Sequence, residues 1–262
     1  MHRSSARITR ILAAAAVPAI LVVSGCSSDS GSDAKSESSA PRSAEASAKP
    51  SQQPEVAEAT YAELPEPCKA VGKKTIEDLV PGAKDKSGDA GKSSDVSSRG
   101  SCAWNGLDDK GVDGSQYRWL DVSFQRWESD QQLGSGDQQA AAKYEDQVGA
   151  AKGAEGAKAV KSEAVNGIGD AATVVTYDLS KTGETFKFAV VVARTGNVIV
   201  TLDYNGAGYA GAEAPKADTI RKDAEKAAKE AVAAVGKANG GKSAEPGDKA
   251  SGSPKASAAA AE

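Results

Sequence analysis

Histidine is almost absent from this sequence, because the single residue of that type is His2, near the start of the chain. If the leader that contains His2 is removed, the mature protein has no imidazole. It then lacks the base for Ser-His or Cys-His catalysis, histidine ligands for a metal ion and a histidine switch near neutral pH. These enzyme and sensor classes are therefore excluded for the mature chain.

The sequence also lacks a basic cluster. Its 32 Lys and Arg residues are outnumbered by 36 Asp and Glu residues, which gives a formal net charge of −4. Loss of residues 1 to 25 would remove Arg3, Arg7 and Arg10 and take the charge to −7. A mildly acidic chain without a basic patch binds the phosphate backbone poorly, so we expect no nucleic acid among its partners.

Large apolar side chains are missing from two long segments. Residues 27 to 60 contain Val56 as their one large aliphatic residue, and residues 237 to 262 contain none. Such segments cannot bury enough surface to offset the chain entropy lost on folding. The sequence therefore predicts a disordered tether, a disordered tail and one globular domain at residues 61 to 236.

The start of the chain has the organisation of a bacterial lipoprotein leader. Three arginines precede an apolar run of 13 residues, 11 to 23, which is short for a transmembrane helix but suits a signal peptide. The motif Val-Ser-Gly-Cys then ends at Cys26 and is followed by a polar stretch. We predict a lipoprotein signal peptide at residues 1 to 25 and lipidation of Cys26. Ordinary secretion, with cleavage after a small residue, is the alternative.

Lipidation would set the location of the protein. Several acyl chains on Cys26, palmitate among them, would anchor it lastingly to the membrane, since each buried CH₂ contributes about 0.8 kcal/mol. Residues 26 to 60 would then form a tether on the outer face of the cytoplasmic membrane.

The three cysteines make an odd count until Cys26 is assigned to lipid. Cys68 and Cys102 then remain as an even pair in an oxidising compartment, which favours a structural disulfide. Loop-closure entropy alone gives such a bridge about 3–4 kcal/mol. The alternative is a pair of redox-active thiols, but such thiols are usually close together as Cys-x-x-Cys.

Hydrophobic periodicity and turn residues predict an α+β fold with an antiparallel sheet of about five or more strands flanked by helices. A loop is expected at residues 82 to 100, and Thr75 and Ser135 are the expected helix N-caps. The predicted helices are residues 75 to 80, 135 to 152 and 215 to 235, and the predicted strands are 101 to 107, 117 to 127, 172 to 179, 186 to 193 and 198 to 204.

Short motifs in residues 61 to 236, together with the leader, resemble a family of actinobacterial cell-envelope lipoproteins whose domain has no assigned function. The motifs are Pro67-Cys68, Cys102-Ala103-Trp104, Gly167-Ile168-Gly169-Asp170-Ala171 and Arg194-Thr195-Gly196-Asn197-Val198. The resemblance implies a lipid-anchored α/β/α domain, similar to the PsbP fold, and it implies no catalytic residues.

Residues 206 to 211 fit the dinucleotide pattern G-x-G-x-x-G. That motif needs a parallel strand after the helix with an acidic residue at its end, and no strand is predicted after residue 215. We therefore expect no cofactor and no metal, and we interpret this stretch as a flexible connection into the last helix.

Three carboxylates on predicted strands, Asp121, Asp178 and Asp203, are candidates for general acid–base chemistry or glycoside cleavage. Each one alternates with apolar neighbours, as residues of a solvated face do. The sequence gives no spacing between them. We therefore predict that the protein is not an enzyme and assign no catalytic residue.

Aromatic residues give the strongest binding signal. Tyr117, Trp119 and Trp127 share the polar face of one predicted strand, opposite its apolar residues. They could form a stacking platform for a sugar or a protein. The alternative is that a helix covers this face and the rings pack beneath it, which we favour because aromatic side chains are usually core. Trp104 is expected to pack against the disulfide.

The leading hypothesis is a lipid-anchored binding or interaction module of the cell envelope. Its partners would be the membrane, through the lipid, and an unidentified envelope protein or cell-wall ligand. Two alternatives remain: a cell-wall glycan hydrolase with paired carboxylates, and a passive envelope spacer.

Overall fold

A computed structural model describes residues 55 to 241 of the chain. The predicted signal peptide, the lipidation site Cys26, most of the tether and most of the tail lie outside the described residues. Between residues 55 and 241, no helix has the length and apolar character needed to cross a membrane.

The described region contains three α-helices and one sheet of seven strands, all paired antiparallel, which confirms the α+β class. The helices are α1 (Lys73–Leu79), α2 (Gly136–Lys152) and α3 (Ala217–Ala238). The strands are β1 (Asp89–Ala90), β2 (Arg99–Asp109), β3 (Ser115–Arg126), β4 (Lys158–Ala164), β5 (Ala171–Lys181), β6 (Glu184–Thr195) and β7 (Val198–Tyr209).

The strand order in space is β1-β2-β3-β7-β6-β5-β4. Chain neighbours pair through hairpins in two blocks, β1 to β3 and β4 to β7. The blocks are joined where β3 pairs with β7 along its whole length, from Ser115 opposite Tyr209 to Arg126 opposite Val198. This long-range pairing makes one continuous sheet and places residues of β3 beside residues of the last strand.

Helices α1 and α3 pack on one face of the sheet. The stripe predicted for the last helix is confirmed, since its buried residues are Ile220, Ala224, Ala227, Ala228, Ala231 and Val235. They lie in one core with Leu120, Val122 and Phe124 of β3. Small alanine side chains let the helix approach the sheet closely, so this face is dry and tightly packed.

Helix α2 packs on the opposite face, against β5, β6 and β7. The predicted N-cap is confirmed: the Ser135 side chain accepts from the Gln138 backbone, and the Gln138 side chain accepts from the Ser135 backbone. Tyr144 and Val148 are buried as predicted, but Ala141 is exposed. Its position lies at the outer edge of the helical stripe.

Two strands were not predicted. All residues of β4 are exposed, so its sequence has no alternation between a wet and a dry side. β1 has two residues and lies within the expected loop 82 to 100, where pairing with β2 holds it in place. Both are edge strands, whose pairing depends on a neighbour rather than on their own pattern.

Two local expectations were wrong. Helix α1 begins at Lys73 with Gly72 as N-cap, and the Thr75 hydroxyl instead donates to Glu230 on α3 at 2.6 Å. Residues 206 to 209 belong to β7 rather than to a flexible connection. Glycine is needed there because a Cβ atom on Gly206 would lie 2.7 Å from the backbone oxygen of Tyr117.

The disulfide between Cys68 and Cys102 is present, with the two Cα atoms 5.1 Å apart. It ties the segment before α1 to β2. Trp104 is buried beside it and donates its indole N–H to the carbonyl of Lys86 at 3.2 Å. A side chain at Gly88 would collide with both Cys102 and Trp104, so the three pack together as one unit.

The side chain of Asn197 joins three parts of the fold. It is fully buried, its amide nitrogen donates to the carbonyls of Tyr61 at 2.9 Å and Trp127 at 2.7 Å, and its oxygen accepts from the Tyr61 N–H at 2.8 Å. Residues just before position 61 also contact the domain, since the Thr60 hydroxyl donates to Asp137 at 2.8 Å. The folded region therefore extends beyond both predicted boundaries, as α3 also ends at Ala238.

Replacing Asn197 by alanine should lower the free energy of unfolding by about 3 kcal/mol, because three buried backbone groups lose their partners. Chemical denaturation followed by circular dichroism measures this change. Asn166→Ala, at an exposed turn position, is the matched control and should change the free energy by less than about 0.5 kcal/mol. Equal effects of the two variants would contradict the role of Asn197.

Candidate functional site

A cavity of about 430 Å³ opens on the α2 side of the sheet, beyond the area that α2 covers. We refer to it as the acid–aromatic cavity. The residues that line it are Tyr117, Trp119, Lys181, Thr182, Phe186, Phe188, Asp203, Asn205 and Tyr209. They come from β3, β5, β6, β7 and the turn between β5 and β6, so residues distant in sequence form one surface.

The pairing of β3 with β7 positions the polar part of the cavity. Asp121 lies directly opposite Asp203, and Trp119 lies directly opposite Asn205. Side chains alternate between the two faces of a strand, so these four residues share the α2 side while Leu120 and its apolar neighbours face α3. Directly opposed side chains have Cβ atoms about 5 Å apart, which brings the two carboxylates together.

Aromatic rings form the other wall of the cavity. Tyr177 and Phe188 face each other across β5 and β6 and stack with their ring centroids 4.8 Å apart. Tyr117 contacts Phe186 edge-to-face at 5.9 Å, and Tyr209 contacts Phe186 at 6.3 Å. Phe186 and Phe188 are buried, whereas Tyr117 and Tyr209 are half-buried. The rings hold one another in fixed orientations, so the apolar wall of the cavity is preorganised.

Burial controls the ionisation of the acids. It raises the pKa of Asp121 to about 6, and the neighbouring negative charge of Asp203 adds to the increase. Burial also raises the pKa of Asp203, against the opposing effects of the hydrogen bond from the Asn205 amide at 2.9 Å and of the Lys181 charge. The pKa of Tyr177 rises to about 12, first through burial and then through the charge of Asp203.

The β5–β6 turn forms the rim of the cavity. Thr182 and Gly183 both have positive φ, 52° and 87°, as a tight two-residue hairpin turn requires. This conformation brings the Thr182 hydroxyl to 3.5 Å from the Tyr209 hydroxyl. The ammonium group of Lys181 lies 5.0 Å from the centroid of the Phe188 ring. The cavity therefore contains a cation beside the rings and the acids.

The predicted aromatic platform is divided in the structure. Tyr117 and Trp119 line the cavity and are half-buried. Trp127 instead packs against the apolar cluster beneath α2, near the other end of β3. Tyr117 and Trp119 are therefore partly accessible, as a stacking platform requires, whereas Trp127 packs beneath a helix, as the alternative interpretation states. The difference arises because α2 covers only the half of the sheet formed by β5, β6 and the start of β7.

Asp178 is not part of this site. It lies on the α3 side of β5, where its carboxylate pairs with the Lys187 ammonium group at 2.6 Å. Of the three candidate carboxylates, the fold brings together Asp121 and Asp203. The sequence around Asp121 and Asp203 does not indicate that the two residues are adjacent, because β3 and β7 are separated by four other elements along the chain.

Several lining residues were not identified from the sequence. The sequence predicted Phe186 and Phe188 only as residues of a strand, and it assigned no binding role to Lys181, Asn205 or Tyr209. The sequence signal that could have identified part of the cavity is the pair of alternating phenylalanines at the start of this strand, which places both rings on one face of the sheet. Their partners across the sheet decide whether such rings line a cavity or a core.

Another cavity of about 430 Å³ lies between the loop at residues 91 to 95 and the ends of β2 and β3. Its lining is polar, with five serines and the side chains of Lys92, Asp95, Arg99 and Gln125, and Phe124 is its one aromatic residue. Among residues 55 to 241, no group of three or more His, Cys, Asp or Glu side chains could hold a metal ion. The acid–aromatic cavity differs in combining several aromatic rings with a carboxylate and a cation.

Neither a known family nor a curated protein matches this sequence. Among solved structures, the chain is similar to the crystal structure of LpqN, which is involved in cell envelope biogenesis of Mycobacterium tuberculosis. The two sequences are 15% identical, the match covers 48% of this chain and 68% of the LpqN chain, and the TM-score is 0.30. A TM-score this low establishes neither a shared fold nor a shared function.

Replacing Asp121 by asparagine should stabilise the protein at neutral pH. Because the folded-state pKa, about 6, exceeds the ordinary value of 3.8, the folded state holds its proton more tightly than the unfolded state. The wild type then loses stability as the pH rises from about 4 to about 6, and the variant avoids this loss. With allowance for the half-exposed position, we expect a gain of about 1–2 kcal/mol at pH 7 and none near pH 4.

Denaturation of both proteins across this pH range, with the exposed Asp113→Asn as the charge-matched control, measures the difference. A gain for Asp121→Asn that is the same at pH 4 and pH 7 would show that burial of an ionised carboxylate is not its cause.

Proposed function

We propose that this protein is a ligand-binding module of the cell envelope, held on the outer face of the cytoplasmic membrane by an acylated Cys26. The observation that supports this function is the acid–aromatic cavity, which is lined by aromatic rings and the Asp203 carboxylate, with Asp121 opposite Asp203 on β3. The ligand would be a cell-wall component or a group on another envelope protein.

The dimensions and lining of the cavity suit this role. Ligand sites usually measure about 300–1,000 Å³ and combine apolar walls with a few polar groups that fix orientation. Here the rings supply the walls, while Asp203 and Asn205 supply an acceptor and a donor. The floor is the β3–β7 pair, whose other side packs on α3, so the site needs little rearrangement to bind.

The anchor and tether complete the proposal. A flexible tether over residues 27 to 54 would have a root-mean-square reach of about 26–32 Å. The domain would then search the layer next to the membrane while the lipid prevents its loss. As part of the same proposal, the domain would resemble the PsbP fold, and the protein would belong to a family of actinobacterial cell-envelope lipoproteins.

Titration with solubilised cell-wall fragments should change the tryptophan fluorescence of the domain through Trp119, which lines the cavity. Trp119→Phe should remove most of the change and weaken binding about tenfold, since stacking on an aromatic ring contributes about 1–2 kcal/mol. Trp127→Phe, outside the cavity, is the matched control and should preserve both signal and affinity. Binding that depends on Trp127 and not on Trp119 would place the ligand elsewhere.

A second candidate function is hydrolysis of cell-wall glycan, favoured by the direct opposition of Asp121 and Asp203. Two adjacent carboxyl groups with raised pKa values divide into an acid and a base, and burial acts on both of them here. In this mechanism the protonated carboxyl group would donate its proton to the leaving oxygen. The other carboxylate would either attack the anomeric carbon of the sugar or activate a water molecule that attacks it.

Asp203→Asn should reduce the release of reducing ends from cell-wall glycan by at least about 100-fold if this candidate is correct. Asp178→Asn is the control, because that carboxylate lies on the opposite face and should leave the rate unchanged. If the wild type releases no reducing ends, or if both variants have the wild-type rate, the hydrolase candidate is wrong and the binding function is unaffected.

A further inference from the structure

Among the described residues that line the acid–aromatic cavity, Lys181 is the one cation. Its ammonium nitrogen lies 5.0 Å from the centroid of the Phe188 ring and 5.9 Å from that of the Phe186 ring. Asp203 lines the same cavity, and the charge of Lys181 opposes the rise in the pKa of Asp203 that burial causes. It therefore occupies a position where ring faces and an acid attract a cation together.

Lys181 is attached to this position loosely. The residue is exposed, it is the last residue of β5, next to the β5–β6 turn, and within residues 55 to 241 it forms no salt bridge. Other lysines of the domain do have carboxylate partners within 4 Å, as Lys187 does with Asp178. The lysine side chain is long and flexible, so its ammonium group can leave the position beside Phe186 and Phe188 and return to it.

We infer that the acid–aromatic cavity is a binding site for alkylammonium groups and that Lys181 occupies it when no ligand is bound. The inference rests on the proposed function in using the same cavity, and it names the chemical class of the ligand. An incoming amine displaces Lys181, which swings out into solvent, and then takes the same position beside Phe188 and Phe186, in the cavity that Asp203 also lines.

The charges of the cavity favour this class over others. Asp121 and Asp203 repel an anion, and ionisation of both leaves one negative charge unbalanced by Lys181. A neutral ligand gains nothing from the carboxylates beyond hydrogen bonds. A primary ammonium group replaces Lys181 with an identical head group, donates to the carboxylates and lies against the ring faces. Free amines and the amino groups of cell-wall peptides both have this chemistry.

The test compares wild type with Lys181→Ala, with n-butylammonium as the probe because it matches the lysine side chain. Removal of the tethered competitor should tighten binding about three- to tenfold, measured by calorimetry or by the fluorescence of Trp119. Lys222→Ala, which removes the same charge from an exposed position on α3, should leave the affinity unchanged. n-Butanol, the neutral analogue, should bind no tighter to Lys181→Ala than to wild type.

A second variant identifies the acid. Adding Asp203→Asn to Lys181→Ala preserves shape and removes one carboxylate, so n-butylammonium should bind about tenfold more weakly than to Lys181→Ala. Thermal denaturation of each variant establishes that it is folded. The inference is overturned if Lys181→Ala leaves the affinity for n-butylammonium unchanged, or if it increases the affinities for n-butylammonium and n-butanol equally.

Cell-wall fragments separate this inference from the proposed function. Acetylation of their free amines should abolish binding if a cell-wall amino group is the natural ligand. Binding that survives acetylation contradicts the ammonium site and leaves the binding module intact. If n-butylammonium binds as expected while no fragment binds, the ammonium site stands, free amines are its ligands, and the cell-wall ligand of the proposed function is wrong.

Discussion

The pairing of β3 with β7 is the constraint on which the rest of the structure depends. It joins two hairpin blocks into one sheet and aligns Asp121 with Asp203 and Trp119 with Asn205. A shift of β3 by one residue would turn Asp121 toward α3, away from Asp203, and would move Leu120 and its neighbours out of the core. The dry core on one face therefore fixes the register, and the register in turn assembles the cavity on the other face. Packing and function are linked through the same backbone hydrogen bonds.

The two faces of the sheet serve different purposes. Toward α3, an alanine stripe on the helix lies directly on apolar strand residues, which makes a rigid support. Toward α2, the helix covers only part of the sheet, so Tyr117, Trp119 and the two acids remain half-exposed beyond it, whereas Phe186 and Phe188 are buried. Partly buried carboxylates and incompletely covered rings reduce stability, and a domain keeps such groups where binding uses them. The support on the first face offsets that cost and keeps the cavity preorganised.

The sequence predicted the fold better than it predicted the site. The alternation in β3, the strands β5 to β7 between their turns, the Ser135 cap and the stripe of α3 all appeared as expected. Each follows from a local period, a turn residue or a local hydrogen bond. The edge strand β4 was missed, since all of its side chains are exposed. The prediction of Thr75 as a helix N-cap was wrong, because its hydroxyl donates to Glu230. This partner is 155 residues away in sequence, and local patterns do not indicate it.

The sequence by itself determined the α+β class and the approximate positions of most helices and strands. It also named Tyr117, Trp119, Asp121 and Asp203 as residues of interest. Only the tertiary structure decided that these four share one face with Phe188 and Lys181, that Trp127 belongs to the packing under α2 and that Asp178 lies on the opposite face. The physical reason is that periodicity is a property of one segment, whereas strand order and helix coverage arise from contacts between segments far apart in the chain.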